Sequence, residues 1–507
     1  MTVRPLFVVC CASLALAAGN RAPATPASAK SVRIEILYTQ NTNGVLENCD
    51  CPGTPLGGLD KRLTLMKRLA NRDSVFALYL DAGDLLSSRG FPLKDEFVLR
   101  AYSIIGYDAI AIGDQEFVNG ARFLSDVNFH LHLPFTSCCL KARDSSIINP
   151  LSRVIKAFAG IRIGIVGIIG AEAFMSADSE NTRGVILSRY TSRLKEELTR
   201  IRNQVDVVVV LSHLGYNDDV SLAKEFPAIN VIIGAHSNTL KTEPERIGNT
   251  YVVQAGKNSE FVGQLTLLVD RSSKAIRSLS GTVHPVMKDI AGDERLAKLL
   301  AQYDKEVATD VRDSTPLQQT PAHTVAVEMS GNSCKGCHQQ EWRSWSLSGH
   351  ALAYESLVKR RAGMRPECLP CHTADSSRQP ASELTLQSSG HTGVACLSCH
   401  QVSRAHLDHG KGSALKPTLL DCVKCHTPGT QPVFDVAASF TKISHTRHRQ
   451  WEYVVKKDDS LSRIARRLLS NPNQWNLLYR VNRGIIKNPD LIYPYQHLAV
   501  PGGGQSN

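Results

Sequence analysis

Eight of the fourteen cysteines in this 507-residue chain fall into four C-x-x-C-H pentapeptides. They are Cys334 to His338 (with Cys337), Cys368 to His372 (with Cys371), Cys396 to His400 (with Cys399) and Cys422 to His426 (with Cys425). Random placement of 14 Cys and 17 His in 507 residues would give only about 0.01 such pentapeptides. The spacing has a physical reason: two thiols three residues apart reach the two vinyl groups of one porphyrin, and the adjacent imidazole then lies beneath the iron. Zinc held by Cys-x-x-Cys pairs is the plainer alternative, but a zinc ribbon does not need His directly after the second Cys. Here it follows in all four motifs, so the pattern predicts four covalent haem c groups.

Between about residues 326 and 449 long apolar runs vanish, and His, Cys, Ser and Gly dominate. Side chains alone cannot build a core from such a segment, and the macrocycles would fill it. Beyond the motifs, this region holds His350, His391, His406, His409, His445 and His448. A six-coordinate iron needs a second axial ligand, and four of these could provide it.

The rest of the chain divides around that segment. Residues 1–18 carry Arg4, an apolar run and the small-residue triplet Ala15-Leu16-Ala17, the pattern of a cleaved signal peptide. A lipoprotein is the minor alternative, because Cys10 and Cys11 sit early inside the run. No other stretch approaches the roughly 18 apolar residues of a membrane span, so no transmembrane segment is expected in the mature chain. Residues 19–31 form a polar Pro- and Ala-rich spacer.

From Val32 to about residue 289 the pattern is α/β, with apolar runs such as "IRIGIVGII" and "VDVVVVLSHLG" separated by helical stretches at Leu59–Leu69 and Ser188–Arg202. Continuous Val/Ile runs indicate strands buried on both faces. Several end in Gly and polar residues, at the edge where α/β proteins place their chemistry. Residues 290–325 read as a connecting helix and linker, and residues 451–502 as a compact terminal module. The formal charge is +11. Between Lys442 and Asp490 there are eleven Lys and Arg against four Asp and Glu. Such a surface suits nucleic acid, an anionic wall or an acidic redox partner, and export makes nucleic acid the weakest of these.

Three resemblances sharpen this outline. "EWRSWSLSGHALAY" and "GVACLSCHQ" resemble the tetrahaem cytochromes of the nitrifier hydroxylamine pathway. That resemblance implies His350 and His445 as distal ligands, with His391 and one of His406 and His409 completing the set.

"ILYTQNTNGVLE", "LDAGDLLSS", "YDAIAIGDQEF", "VVVLSHLGYNDD" and "VIIGAHSNT" resemble the metallophosphoesterase domain of the periplasmic 5′-nucleotidase/UDP-sugar hydrolase family. It implies an α/β sandwich with a dimetal site at one end of the strands. The bridging Asp falls on Asp84, and the other second-site ligands on Asp114 (where the family has Asn), His213 and His236. First-site ligands fall on Asn41, Asn43 and Asn238, and the family's His–Asp dyad on Gln115 and Val118. The resemblance therefore implies a degraded site holding at most one divalent ion (Mn, Zn or Fe). The family's nucleotide-binding second domain is replaced by the haem motifs. Cys49, Cys51, Cys138 and Cys139 lie in loops placed near the same edge, either as disulfides or as a thiolate metal site.

Finally, the segment from Tyr453 to Pro501 resembles a LysM domain, a βααβ module that binds N-acetylglucosamine polymers such as peptidoglycan. Asp458 and Tyr495 stand where that family often has Gly. The expected protein is a multidomain periplasmic cytochrome: an α/β metallophosphoesterase-like sandwich, a mostly helical haem-cored segment and a LysM module. It would pass electrons to periplasmic redox partners while held at the cell wall. A metal-dependent phosphoesterase with an accessory cytochrome is the alternative; a multihaem reductase with one open haem is the second.

Overall fold

The computed structural model describes residues 30–48, 56–70, 76–176 and 180–313, most of 334–373, 393–400, isolated positions between 406 and 443, and most of 451–500. The leader, Cys49, Cys51, His391, His409, His445 and His448 lie outside the described residues.

The N-terminal domain is a sandwich of two six-stranded sheets. Its strands are β1 (Ser31–Thr39), β2 (Phe76–Asp81), β3 (Ala109–Ala111), β4 (Phe135–Thr136), β5 (Leu140–Ala142), β6 (Val154–Phe158), β7 (Ile161–Ile169), β8 (Val185–Leu187), β9 (Val207–His213), β10 (Val231–Gly234), β11 (Glu245–Ile247), β12 (Thr250–Val253), β13 (Phe261–Asp270) and β14 (Ile276–Pro285). One sheet has the order β14-β13-β1-β2-β3-β4 and the other β11-β12-β10-β9-β7-β6, while β5 and β8 form a separate pair. Strands β1 to β4 run parallel, as do β7, β9, β10 and β12.

The Val/Ile runs explain this arrangement. Val207, Val209 and Leu211 of β9 join Ile34, Ile36, Leu78, Leu80, Ile163 and Ile165 in the core between the sheets. Val210 and Ile232 face the helical layer instead. Strands covered on both sides need apolar residues at consecutive positions, which is what the sequence provides.

The helices on the outside follow ordinary rules. Helix α1 (Leu59–Ala70) buries Leu59, Leu63 and Met66, spaced along one face, and carries Asp60 in its first turn and Lys67 and Arg68 in its last. Helix α2 (Pro92–Ile105) opens on Pro92 and stops at Gly106, whose φ of 79° closes the left-handed cap. A third, α3 (Ala121–Leu131), follows β3, and α4 (Tyr190–Ile201) and α5 (Tyr216–Glu225) flank β9. The connecting helix α6 (Glu294–Asp313) packs Leu296, Leu299, Tyr303 and Val307 into the core of this domain.

The haem-motif segment contains short helices at Gln339–Ser346, Ala353–Val358 and Leu369–His372. Its apolar cluster among the described residues is Leu357 and Leu369, with Tyr354 and Cys368 against them.

The terminal module has its own core of Val455, Leu461, Ile464, Ala465, Leu478, Ile486, Leu498 and Val500. Strands Trp451–Val454 and His497–Val500 pair antiparallel around helices Leu461–Leu468 and Trp475–Val481. Ser460 caps the first helix, its Oγ accepting from the Arg463 amide at 3.3 Å.

Candidate metal and haem sites

Asp84, Asp114, His213 and His236 converge because each follows, or ends, a parallel strand. Asp84 stands just beyond β2, Asp114 beyond β3, His213 at the end of β9 and His236 beyond β10. The two sheets thus bring two carboxylates from one side and two imidazoles from the other, with the four ligand atoms within 4.8 Å of one another. His213 Nε2 lies 3.2 Å from Asp84 Oδ1 and 3.3 Å from Asp114 Oδ1, and His236 Nδ1 lies 3.5 Å from Asp114 Oδ1.

Backbone strain surrounds the cluster. Asp84 (φ 59°), His236 (φ 70°), Asn41 (φ 47°), Asn43 (φ 52°) and Asn238 (φ 54°) all occupy the left-handed region. Non-glycine residues held there mark places where the fold aims side chains at a functional point.

Asp114 Oδ1 and His213 Nε2 are buried in the cluster and meet its own members at 3.2 to 3.5 Å. His213 is fully buried and its Nδ1 is 3.0 Å from the Ala82 carbonyl, which leaves Nε2 to face the carboxylates. Buried charged groups crowded at such distances are costly unless they are paired or coordinate a metal. Two carboxylates and two imidazoles form a suitable donor set for a divalent transition metal.

The charges are strongly coupled. Burial opposes a charged His213, but the Asp84 charge and contacts with Asp114, Asp84 and the Ala82 carbonyl hold its pKa well above the usual histidine value. Burial would raise the Asp114 carboxyl; His213 and His236 instead carry it well below the ordinary range.

Asn41 and Asn43, which the resemblance assigned to a first metal, and Gln115, which it assigned to the dyad, are engaged in hydrogen bonds. Gln115 Nε2 donates to Asp84 Oδ2 and to Asn43 Oδ1, both at 3.1 Å. Asn43 Nδ2 in turn donates to Asn258 Oδ1 at 3.0 Å. Asn41 Oδ1 accepts from the His236 amide at 3.0 Å, and its Nδ2 donates to the Gly256 carbonyl at 3.1 Å. Asp84 therefore presents one oxygen to the four-residue cluster and the other to an amide network.

Sequence reasoning missed two buried carboxylates behind this edge. Glu116 accepts from the amides of Asp84, Leu85 and Gly113 and so fixes the backbone of two site loops. Burial and repulsion from Asp84 push its pKa up to about 8. Asp219 accepts from Gln254 Nε2 at 3.0 Å, and burial raises it to about 7. The "GDQEF" stretch was the available signal for Glu116. Nothing comparable marks Asp219.

Cys138 and Cys139 are free, buried thiols 3.7 Å apart, and neither joins the Asp84 cluster.

In the haem segment each motif is wound as a helical turn. The amides of His338, His400 and His426 donate to the carbonyls of Cys334, Cys396 and Cys422 at 2.8, 2.8 and 2.9 Å. Residues three and four apart share one helix face, so both thiols and the imidazole project to the same side. His372 Nδ1 lies 2.9 Å from the Ala353 carbonyl and 3.2 Å from Ser356 Oγ, a contact that orients the ring and leaves Nε2 for iron.

Two of the proposed distal ligands face a motif histidine. The His350 and His426 ring centres are 6.1 Å apart, and those of His406 and His338 are 5.8 Å apart. These pairs are the residues that would hold a haem iron through imidazole nitrogens, were one bound. Burial and the neighbouring His426 lower the His350 pKa, favouring the neutral, ligating ring. The residues present thus fit haem.

Fold and sites together define a multidomain chain: an α/β metallophosphoesterase-like domain, a cytochrome c segment and a LysM domain. Residues 333–401 match the family model described as cytochrome c554 and c-prime, and residues 453–501 match the LysM domain model.

The N-terminal part is similar to a snake venom 5′-nucleotidase of Gloydius brevicauda, 28% identical over 314 residues covering 56% of this chain and 51% of that protein. It is also similar to the 5′-nucleotidase of Mus musculus, 28% identical over 244 residues (45% and 41%). An uncharacterised metallophosphoesterase of Bacillus subtilis is 26% identical over 245 residues (48% and 47%). The chain spans about half the length of these curated relatives. Among solved structures, a 5′-nucleotidase precursor from Thermus thermophilus is 23% identical with a TM-score of 0.49, over 55% of this chain and 59% of that one.

Proposed function

We propose that this protein is a periplasmic electron carrier in which four covalent haems are tethered near peptidoglycan by the LysM module. The observation that carries this reading is the set of four wound C-x-x-C-H turns, two of which face a second histidine: His338 opposite His406, and His426 opposite His350. His391, His409 and His445 are the remaining distal candidates. When bound, haem would supply reversible one-electron chemistry. The chain's own part is to fix each thiol pair and orient each imidazole. Among the described residues no helix is long and apolar enough to cross a membrane. Periplasmic redox partners and a wall-bound location fit this reading.

We further infer that the α/β domain binds at most one divalent cation, held by Asp84, Asp114, His213 and His236. The Gln115 amide on Asp84 Oδ2 supports this, because that oxygen would otherwise be free for a second ion. A phosphoesterase activity is the second reading, favoured by the same intact four-residue cluster. A reduced-state spectrum with a carbon monoxide titration on the intact chain tests the leading proposal. It predicts c-type absorption from four haems; a colourless, zinc-containing protein would overturn it. Carbon monoxide binding without mutation would move the protein to the reductase class.

A further inference from the structure

Beyond β4 the chain carries two adjacent cysteines into the seam between the two sheets. Cys138 and Cys139 are 2% and 0% exposed, and their sulfurs lie 3.7 Å apart. Successive side chains of an extended strand point to opposite faces, so two neighbouring sulfurs on the same side require a bend. Ser137 supplies it: its Oγ accepts from the amides of Cys139 and Leu140, both at 3.3 Å.

The bend is anchored to the second sheet. The Cys138 amide donates to the Gly167 carbonyl of β7 at 2.9 Å, and the Cys139 carbonyl accepts from the Ser188 amide, just ahead of α4, at 2.8 Å. Arg193 of α4 donates through Nε to the Cys138 carbonyl at 3.2 Å. Here β4 and β7 come so close that a Cβ on Gly167 would collide with the Thr136 carbonyl oxygen. Two residues further along β7, Ile169 is paired with His213 of the metal cluster. A thiolate metal site would need further ligands. Among the described residues neither sulfur joins such a cluster, and the other eight cysteines belong to the haem motifs.

We propose that Cys138 and Cys139 close a vicinal disulfide in the exported protein, a reducible lock on the bend that joins the two sheets. The inference rests on the reading that the chain is exported, since disulfides form and persist in oxidising compartments. It needs no space beyond what the fold provides: the sulfurs must approach from 3.7 Å to about 2.05 Å, a side-chain rotation rather than the entry of an ion. The oxidant is a disulfide of that compartment, acting by thiol–disulfide exchange. One cysteine thiolate attacks it, breaks its S–S bond and releases one thiol. The neighbouring cysteine then attacks the mixed disulfide and displaces the second thiol. Two electrons and two protons thus pass to the oxidant as one S–S bond forms in the chain. Both sulfurs are buried in the finished fold, so this exchange precedes closure of the seam.

The test maps the full-length holo protein, its free thiols alkylated in denaturant without reductant before digestion with trypsin. Cleavage after Arg122 and Lys141 leaves both cysteines on one peptide, with Cys49 and Cys51 on another. The peptide from Phe123 to Lys141 should be recovered unalkylated and lighter than its dithiol form by two hydrogens. If an exported chain with four haems yields this peptide with two alkyl groups, or linked to Cys49 or Cys51, the proposal alone is overturned. A cytoplasmic chain without haem would overturn the exported-carrier reading, and the proposal with it. The lock is read by hydrogen exchange, once mapping shows that a phosphine has opened the bond. Exchange across residues 136–140 and 165–169 should then accelerate in wild type, while the same treatment leaves Cys138→Ala/Cys139→Ala unchanged. Equal acceleration in both proteins, or none in wild type, would remove the lock. If the variant fails to fold, the wild-type peptide map still decides the bond.

Discussion

A single-cation site should reveal itself as a ligand-dependent stabilisation that Asp84 controls. Two carboxylates, Asp84 and Asp114, face the buried His213 at 3.2 and 3.3 Å. A divalent ion that binds the folded state alone adds about 2.7 kcal/mol when present at roughly 100 times its dissociation constant. For domains of roughly 150–250 residues each kcal/mol moves the melting temperature about 2–4 °C, so manganese should raise it by about 5–10 °C. The measurement is calorimetry of the full chain with and without manganese, alongside metal analysis. Asp84→Asn removes the one carboxylate that faces both His213 and the Gln115 amide, and should abolish the rise.

Acidity adds a second check. Although burial opposes it, the Asp84 charge and the carboxylate contacts raise the His213 pKa, so a metal competes with a proton for that ring. Affinity should therefore weaken as the pH falls, with proton release on binding. Without metal, the same shift stabilises the fold below the ordinary histidine value near 6.5, and that contribution is lost as the pH rises through the raised one. Two ions per chain, or an undiminished rise in Asp84→Asn, would refute the reasoning.

Three further outcomes are expected. His350→Ala should open one iron, giving a high-spin band and carbon monoxide binding; an unchanged low-spin spectrum would mean that another ligand serves the His426 haem. The module from Trp451 to Pro501 buries its own cluster around Ile464 and should pellet with purified peptidoglycan when produced alone; in it, Ser460→Ala should cost about 1 kcal/mol through the lost helix cap without releasing the module from the wall. Hydrolysis of AMP and bis-p-nitrophenyl phosphate with manganese or zinc should be negligible, since Gln115 offers no acid–base help of the kind worth roughly 10²–10⁴-fold; turnover lost on Asp84→Ala would establish the enzyme reading instead.

What the sequence disclosed, and what it did not, follows from the range of each interaction. The run Ile161–Ile169 forms β7 over its full length, and the Leu59–Leu69 periodicity becomes α1, because burial on two faces or on one stripe is written in neighbouring residues. The C-x-x-C-H motifs were equally local: one helical turn holds both thiols and the first imidazole. The four metal-cluster residues were harder. They span Asp84 to His236 and meet only through the parallel strands of two sheets, so resemblance alone assembled them. Hardest were the partners of those residues. The sequence could say that Asn43 and Gln115 are poor metal ligands, but not that Gln115 reaches Asp84 Oδ2 and Asn43 Oδ1 at once. Nor could it show that Arg365 stands buried between Asp304 and Glu47, residues 61 and 318 positions away. Such contacts have no periodicity, because a buried charge is fixed by whichever partner the tertiary fold delivers. They tie one carboxylate oxygen of Asp84 to an amide network and the Glu47 carboxylate to Arg365.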